Sequence, residues 1–328
     1  MRSTGLALGF YAAVMSLSAV LVLAMIRVAI LDTPGHRSAH ARPTPKGGGV
    51  GVVVAFLIGV PTACLLSGFT LGFRGLSLLC AVGLLSLVSW LDDVRQFRPA
   101  VKLAAQALAA ILVLAGLGPL PVPWIAGLII GFGWLLFVTN ALNFIDGLNG
   151  LASGSMALAC LFIGATAPPG MEQAAAYVLA AGLAGFLPFN YPKAAIFLGD
   201  VGSQGAGLAV AALGLWRWQD PAPWPELVMP MLLSGILYDV AFTLCRRLIA
   251  GQRLSEAHRG HLYQVAFRSG MPAWAIALLH WGFVAWSATA TRLLPHAAPW
   301  ALGLVLLPQL VWTGIVVRRA SRRPIGKW

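Results

Sequence analysis

Residues 84–99 read LLSLVSWLDDVRQFRP. An apolar run stops there on two adjacent carboxylates, Asp92 and Asp93, and continues into Arg95, Arg98 and Pro99. Asp and Glu together number only ten in 328 residues, so a neighbouring pair at this point needs a physical reason. Hydrophobic residues make up 59% of the chain and charged ones 10%. A soluble domain carries about 25% charge, so lipid is the solvent for most of this surface. An ionisable group at membrane depth costs about 2.5–3.5 kcal/mol on insertion scales and marks a functional site by default.

Working outward from that stretch, eleven apolar spans are expected, at roughly 5–31, 48–70, 75–91, 101–118, 122–142, 150–167, 174–189, 201–216, 224–245, 271–290 and 298–317. Spans three, seven and eight are short or glycine-interrupted, so ten crossings is the alternative count. The fold class is an all-α polytopic membrane protein forming one integral membrane domain over 1–328. The first span is too long for a signal-peptide core and lacks a cleavage site, so it is expected to be retained. Cys64, Cys80, Cys160 and Cys245 all lie in apolar runs without a C-x-x-C pair and read as small hydrophobic fillers.

Of the 22 Lys and Arg residues, 18 fall in or beside the loops after odd-numbered spans or in the C-terminal tail. Only Arg2, Arg74, Arg217 and Arg292 fall on the other side. The positive-inside rule then predicts a periplasmic N-terminus and a cytoplasmic C-terminus. It also accounts for the formal charge of +12 by topology and anionic lipid, without nucleic acid. The other loops are short and Pro-rich, and Trp216, Trp218, Trp224 and Trp300 near span ends suggest an interfacial aromatic belt. Glu172, Asp220 and Glu226 fall on that outer side with no evident chemistry.

The predicted cytoplasmic loops, about 32–47, 92–100, 140–150, 190–200 and 246–270, bring Asp92, Asp93, Asp146 and Asp200 to one face. Such carboxylates repel unless a cation or basic partner holds them. Mg²⁺ fits, because it takes one or two carboxylates and completes its octahedron with water and phosphate oxygens. Salt bridges to Arg95, Arg98 and Lys102 are the plainer reading. The glycines of DGLNG and GSQGAG serve either to expose backbone N–H groups to phosphate or to let helices pack closely. In the last loop, His258 and His261 at i and i+3 would share a helical face, with Arg259 between them. Phosphate recognition is better supported there than zinc, which lacks a third ligand. His36, Arg37, His40, Arg42 and Lys46 read equally as a basic flap over the same face or as a plain topology loop, and Pro and Gly keep the segment from being a long helix.

The motifs WLDDVRQFRPAVKLAAQ, NALNFIDGLNGLASG, FLPFNYPKAAIFLGDVGSQGAG and HRGHLYQ, in that order, resemble the polyprenyl-phosphate N-acetylhexosamine-1-phosphate transferases. The resemblance spans about residues 32–268 and is nearest to the O-antigen-initiating members. It implies transfer of a sugar-1-phosphate from a UDP-N-acetylhexosamine to undecaprenyl phosphate, with release of UMP. The sugar would be GlcNAc or a 6-deoxy relative such as FucNAc or QuiNAc, and the site would lie on the cytoplasmic side of the bacterial inner membrane. It implies Mg²⁺, or Mn²⁺ in its place, on Asp200, with Asp93 as a second candidate ligand. Asp92, Asp93 and His258 would be catalytic. Lys102, Asn143, Asp146, Asn149, Asn190, Phe197, Arg259, His261 and Thr44 would bind substrate. A homodimer is a further implied arrangement.

Asn149 departs from the DGLDG of many bacterial members and replaces a charge by an amide, which bears on nucleotide contacts. The peptidoglycan translocase of the superfamily, which acts on phospho-MurNAc-pentapeptide, carries a triple-His motif where this chain has HRGHLYQ, yet it stays as an alternative. A transporter is the rival from another class, since transporters also place carboxylates at broken helices.

Overall fold

A computed structural model describes residues 4–32, 43–253, 256, 258–323 and 325–326. Thirteen helices follow one another with a single short strand pair among the described residues. They are α1 (Thr4–Val28), β1 (Leu31–Asp32), β2 (Thr44–Pro45), α2 (Gly49–Ser67), α3 (Gly72–Arg95), α4 (Pro99–Leu117), α5 (Trp124–Ile145), α6 (Leu151–Thr166) and α7 (Met171–Asn190). Then come α8 (Gly199–Trp218), α9 (Pro225–Leu232), α10 (Ser234–Ile249), α11 (Leu262–Arg268), α12 (Ala273–Leu293) and α13 (Ala298–Ser321). β1 and β2 are two residues each and antiparallel, with Asp32 opposite Thr44.

Every expected apolar span coincides with a helix, the ninth being broken into α9 and α10 with a bend of 78°. Seven helices are long and apolar enough to cross a membrane, or eight if the bent pair counts as one span. The shortfall against eleven has a physical cause. α6 has only 16 residues, and α7 and α8 carry polar ends, but all three pack largely against protein. α8 is buried from Val201 to Arg217. A helix sheathed by other helices does not need lipid-like side chains, so hydropathy under-reads it.

Small residues on α8 let its neighbours close in. A Cβ on Gly49 of α2 would lie 2.2 Å from the Gly202 Cα, and one on Gly205 would lie 2.1 Å from Ser86 Oγ of α3. The glycines of GSQGAG are therefore used for packing. Met156, Phe186, Leu142 and Leu85 belong to the same continuous core.

The helices run alternately up and down, so the loops separate into two ends. One end is tied by Lys46 to Asp93, Lys102 to Asp200, and the Tyr263 hydroxyl to the Phe144 carbonyl. The opposite end is tied by Gln219 to Leu117 and Pro119, and by Trp224 to the Pro295 carbonyl. That opposite end holds more than expected. Arg217 pairs with Asp220 at 2.6 Å, and Arg74 lies 4.6 Å over the Trp216 ring. Glu172 interacts electrostatically with Asp220, Arg217 and Arg74. Trp216 is 1% exposed, a core residue and not an interfacial anchor. The Arg217–Asp220 pair is local, three residues apart, but sequence could not show that Arg74 of α3 and Glu172 of α7 join it.

Candidate active site

The site is built at helix ends. α3 ends in the Asp92–Asp93 pair, and Gln96 then adopts a left-handed conformation, φ 51°. Extended Arg98 and Pro99 at N1 start α4, so Lys102 stands one turn into it. Asp92 is 8% exposed, and its Oδ1 accepts the Phe97 N–H at 2.7 Å. Its Oδ2 lies 2.6 Å from Lys102 Nζ. The same ammonium lies 2.9 Å from Oδ2 of Asp200, in the first turn of α8. Asn143, from the last turn of α5, donates from Nδ2 to Asp200 Oδ1 at 3.1 Å and to Ser203 Oγ at 2.8 Å. Both Asp200 oxygens thus have protein partners from two other helices.

Asp93 faces a different cation. Its Oδ1 lies 2.8 Å from Lys46 Nζ, while its Oδ2 is buried with no hydrogen-bond partner among the described residues. Lys46 is brought there by backbone pairing: Phe197 N–H donates to the Pro45 carbonyl at 2.8 Å, and Gly48 N–H to the Phe197 carbonyl at 2.9 Å. Gly47 makes the turn into α2 at φ 97°, a conformation that glycine adopts without penalty. The partners of the carboxylate pair are thus Lys46 and Lys102; Arg95 and Arg98 make no ion pair with it. His36, Arg37, His40 and Arg42 lie outside the described residues.

Asp146 caps α5. Its surroundings hold its carboxyl well above the usual carboxylate range, burial being the larger cause and Asp200 the second. No hydrogen bond reaches it from any described residue. Asn149 donates to the Pro192 carbonyl at 3.3 Å. Asn190 is 4% exposed; its Oδ1 accepts the Gly150 N–H at 2.6 Å and its Nδ2 donates to the Ile196 carbonyl at 2.9 Å. Its amide joins two loops and leaves little for a substrate. Thr44 sits in β2, and Phe197 is half-buried beside Lys46.

His258 and His261 do not share a helix, contrary to the i, i+3 expectation. They precede α11, a helix of seven residues inside the last loop, whose N-cap is His261. Their rings are nonetheless 5.0 Å apart. The His258 imidazole is pushed down to about 4 by burial, then by His261 and by Arg247 and Arg246. Arg259 is half-buried, and its carbonyl accepts from Arg268 at 3.1 Å. No group of three His, Cys, Asp or Glu side chains among the described residues is placed to form a metal cage.

Three features escaped the sequence reading. Gln106, Asn140 and Gln204 form a polar layer one turn beneath the site, with contacts of 3.0–3.1 Å. The signal was present: Lys102 and Gln106, like Asp200 and Gln204, are spaced i, i+4 in otherwise apolar helices. Arg247 is 3% exposed and donates to the carbonyls of Arg253 and Glu256, shaping the last loop. Asp239 is buried behind His261. Met25, Val50, Val53, Leu87, Trp90 and Val201, the last adjacent in sequence to Asp200, line an apolar recess of about 280 Å³.

A polytopic α-helical protein with carboxylates, lysines and imidazoles gathered at one end of its bundle is equipped to handle phosphate groups at a membrane surface. Comparison with known proteins gives the family. The glycosyl transferase family 4 model matches residues 75–217, from α3 through α8. The chain is 29% identical to the probable undecaprenyl-phosphate N-acetylglucosaminyl 1-phosphate transferase of Bacillus subtilis, over 75% of this chain and 72% of that one. It is 27% identical to the decaprenyl-phosphate N-acetylglucosaminephosphotransferase of Mycobacterium leprae, over 88% and 83% respectively. It is 32% identical to the phospho-N-acetylmuramoyl-pentapeptide-transferase of Heliobacterium modesticaldum, over 75% and 81%. The chain belongs to glycosyl transferase family 4, in the superfamily of polyprenyl-phosphate N-acetylhexosamine-1-phosphate transferases. It is therefore an enzyme of the phosphoglycosyltransferase type.

Proposed function

We propose that the protein transfers N-acetylglucosamine-1-phosphate, or the 1-phosphate of a 6-deoxy N-acetylhexosamine with its sugar attached, from the UDP-sugar to undecaprenyl phosphate. The products are a polyprenyl diphosphosugar and UMP. The setting is the bacterial inner membrane with the site facing the cytoplasm, at the first membrane step of a surface polysaccharide such as O-antigen. The observation that carries this reading is the ammonium of Lys102 held between Asp92 and Asp200 at one end of the bundle. Joining two phosphates is chiefly a problem of positioning and charge. Lys46, Lys102 and Arg259 supply positive charge, and Asn143 holds Asp200 in place. The acceptor phosphate is already anionic near neutral pH, so little proton removal is asked of Asp92 or Asp93. The apolar recess that Trp90 and Val201 help to line suits an acceptor whose phosphate reaches the carboxylates while its tail stays in lipid. Drawing such a tail into water would cost about 0.8 kcal/mol per CH₂.

The residues present fit a hydrated Mg²⁺ better than a full protein cage. Asp93 Oδ2 is a buried oxygen without a partner among the described residues, and the Asp200 carboxylate interacts electrostatically with Asp93. Those two would hold the ion, which when bound would neutralise phosphate charge.

The test is UMP release by purified protein given Mg²⁺, undecaprenyl phosphate and each member of a UDP-sugar panel. Release with UDP-N-acetylglucosamine is expected, and no release with any UDP-sugar would overturn the reading. A second reading, transfer of phospho-MurNAc-pentapeptide, is supported by the 32% identity to a protein of that name. Release only with UDP-MurNAc-pentapeptide would select it. Transport is disfavoured because Arg217 and Asp220 at the opposite end are part-buried and paired with each other.

A further inference from the structure

The bent ninth span carries a carboxylate that the reaction above does not use. Asp239, in α10, is 1% exposed. Its Oδ1 accepts from the Leu262 N–H at 2.9 Å and from Thr243 Oγ1 at 3.2 Å, and lies 3.1 Å from His261 Nδ1. Its Oδ2 accepts the Tyr263 N–H at 2.9 Å. A carboxylate with this set of donors is an acceptor only, so the ring nitrogen facing it carries the proton. His261 is thereby fixed as the Nδ1–H tautomer, and Nε2, which has no partner among the described residues, keeps its lone pair when the ring is neutral.

His258 has the opposite arrangement. Its Nδ1 accepts the Gly260 N–H at 3.2 Å, so its neutral ring carries the proton on Nε2. Two imidazoles 5.0 Å apart thus present one acceptor and one donor nitrogen. The loop is also docked onto the site: the Tyr263 hydroxyl donates to the Phe144 carbonyl at 2.9 Å, two residues before Asp146. Capping a short helix could be done by a neutral side chain such as Ser or Asn. A buried carboxylate costs several kcal/mol and is justified by what it does to the imidazole.

We infer that Asp239 is a positioning residue of the transferase: it sets the tautomer of His261 and seats residues 258–263 against the 143–147 turn, so that Nε2 of His261 can accept a hydrogen bond from a hydroxyl of the substrate. This rests on the proposed transfer only for its kinetic readout. Asp239→Asn is expected to lower kcat about 100-fold with the KM for the UDP-sugar changed less than about threefold, as for other groups that orient a working histidine. His261→Asn keeps a donor toward Asp239 but lacks Nε2. It should fold and lose a similar factor, and the double variant should be no slower than either single one. A second readout needs no activity: ¹⁵N spectra of histidine-labelled protein, with His261 identified by its absence in His261→Asn. The Nδ1–H form is expected in the wild type and a mixture of tautomers in Asp239→Asn. An Asp239→Asn enzyme within about threefold of wild-type kcat, multiplying losses in the double variant, or an Nε2–H wild-type His261 would each overturn the inference. If Asp239→Asn does not fold, His261→Asn decides, since full activity there removes any role for the oriented ring. Wild-type protein inactive on every UDP-sugar would instead sink the proposed reaction, leaving the tautomer assignment to the spectra.

Discussion

Replacing Lys102 by Met keeps most of the aliphatic stem and removes one ammonium. That ammonium makes two short contacts, at 2.6 Å to Asp92 and 2.9 Å to Asp200. Hydrogen bonds to charged groups contribute about 1.5–3 kcal/mol each. The side chains of Lys102 and Asp200 are 31% and 30% exposed, so solvent screening reduces the sum. A net loss of about 3–4 kcal/mol of charge stabilisation then translates to a fall in kcat/KM of about 10²–10³-fold. Lys102→Arg keeps the charge, but its planar fork does not match a point cation shared by two carboxylates, so only partial recovery is expected. Removing a positive charge beside the candidate Mg²⁺ ligands should also lower the Mg²⁺ concentration for half-maximal rate, even as the maximal rate drops. The assay is UMP release against UDP-sugar and Mg²⁺ concentration, in detergent or reconstituted bilayers. A Lys102→Met enzyme with kcat/KM within about threefold of wild type would refute the reasoning, because no group with a transition-state role could be lost so cheaply.

Other outcomes follow from the same geometry. Arg217→Met strands Asp220 at the end opposite the site and should cost about 3–5 kcal/mol. Thermal unfolding should show that loss, and adding Asp220→Leu should recover much of it. Gly49→Val drives a side chain into the Gly202 backbone, 2.2 Å from where its Cβ would fall. It should abolish folded yield on size exclusion, whereas Gly133→Ala, with open space around it, should be silent. His258 titrates at about 4 in the folded state, below its ordinary value of 6.5. The unfolded chain therefore binds more protons between those values, and stability falls as pH drops from about 6.5 toward 4 and is flat above. Thermal unfolding of His258→Asn, which keeps an acceptor for the Gly260 N–H, should lose that part of the pH dependence.

Much of the architecture was legible in one dimension. Apolar runs of membrane length bounded by Gly, Pro and charge are a local property, and each produced a helix. The convergence of Asp92, Asp93, Asn143 and Asp200 at one end follows from counting alternating spans. Asp239 was less legible. It sits inside an apolar run, and only the fold brings its partner His261 back onto it from 22 residues away. Asn190 shows the converse: its motif marked it for substrate, and the fold engages its amide in joining two loops.

By itself the sequence determined a lipid-embedded helical bundle with its acidic motifs on one face, because burial of apolar surface and the parity of crossings depend on composition and order along the chain. Only the tertiary structure decided which cation meets which carboxylate. It gave Lys46 to Asp93 and placed Lys102 between Asp92 and Asp200. Those choices depend on distances of a few ångströms between helices far apart in sequence, set by glycine contacts such as Gly49 on Gly202, and no local pattern encodes them.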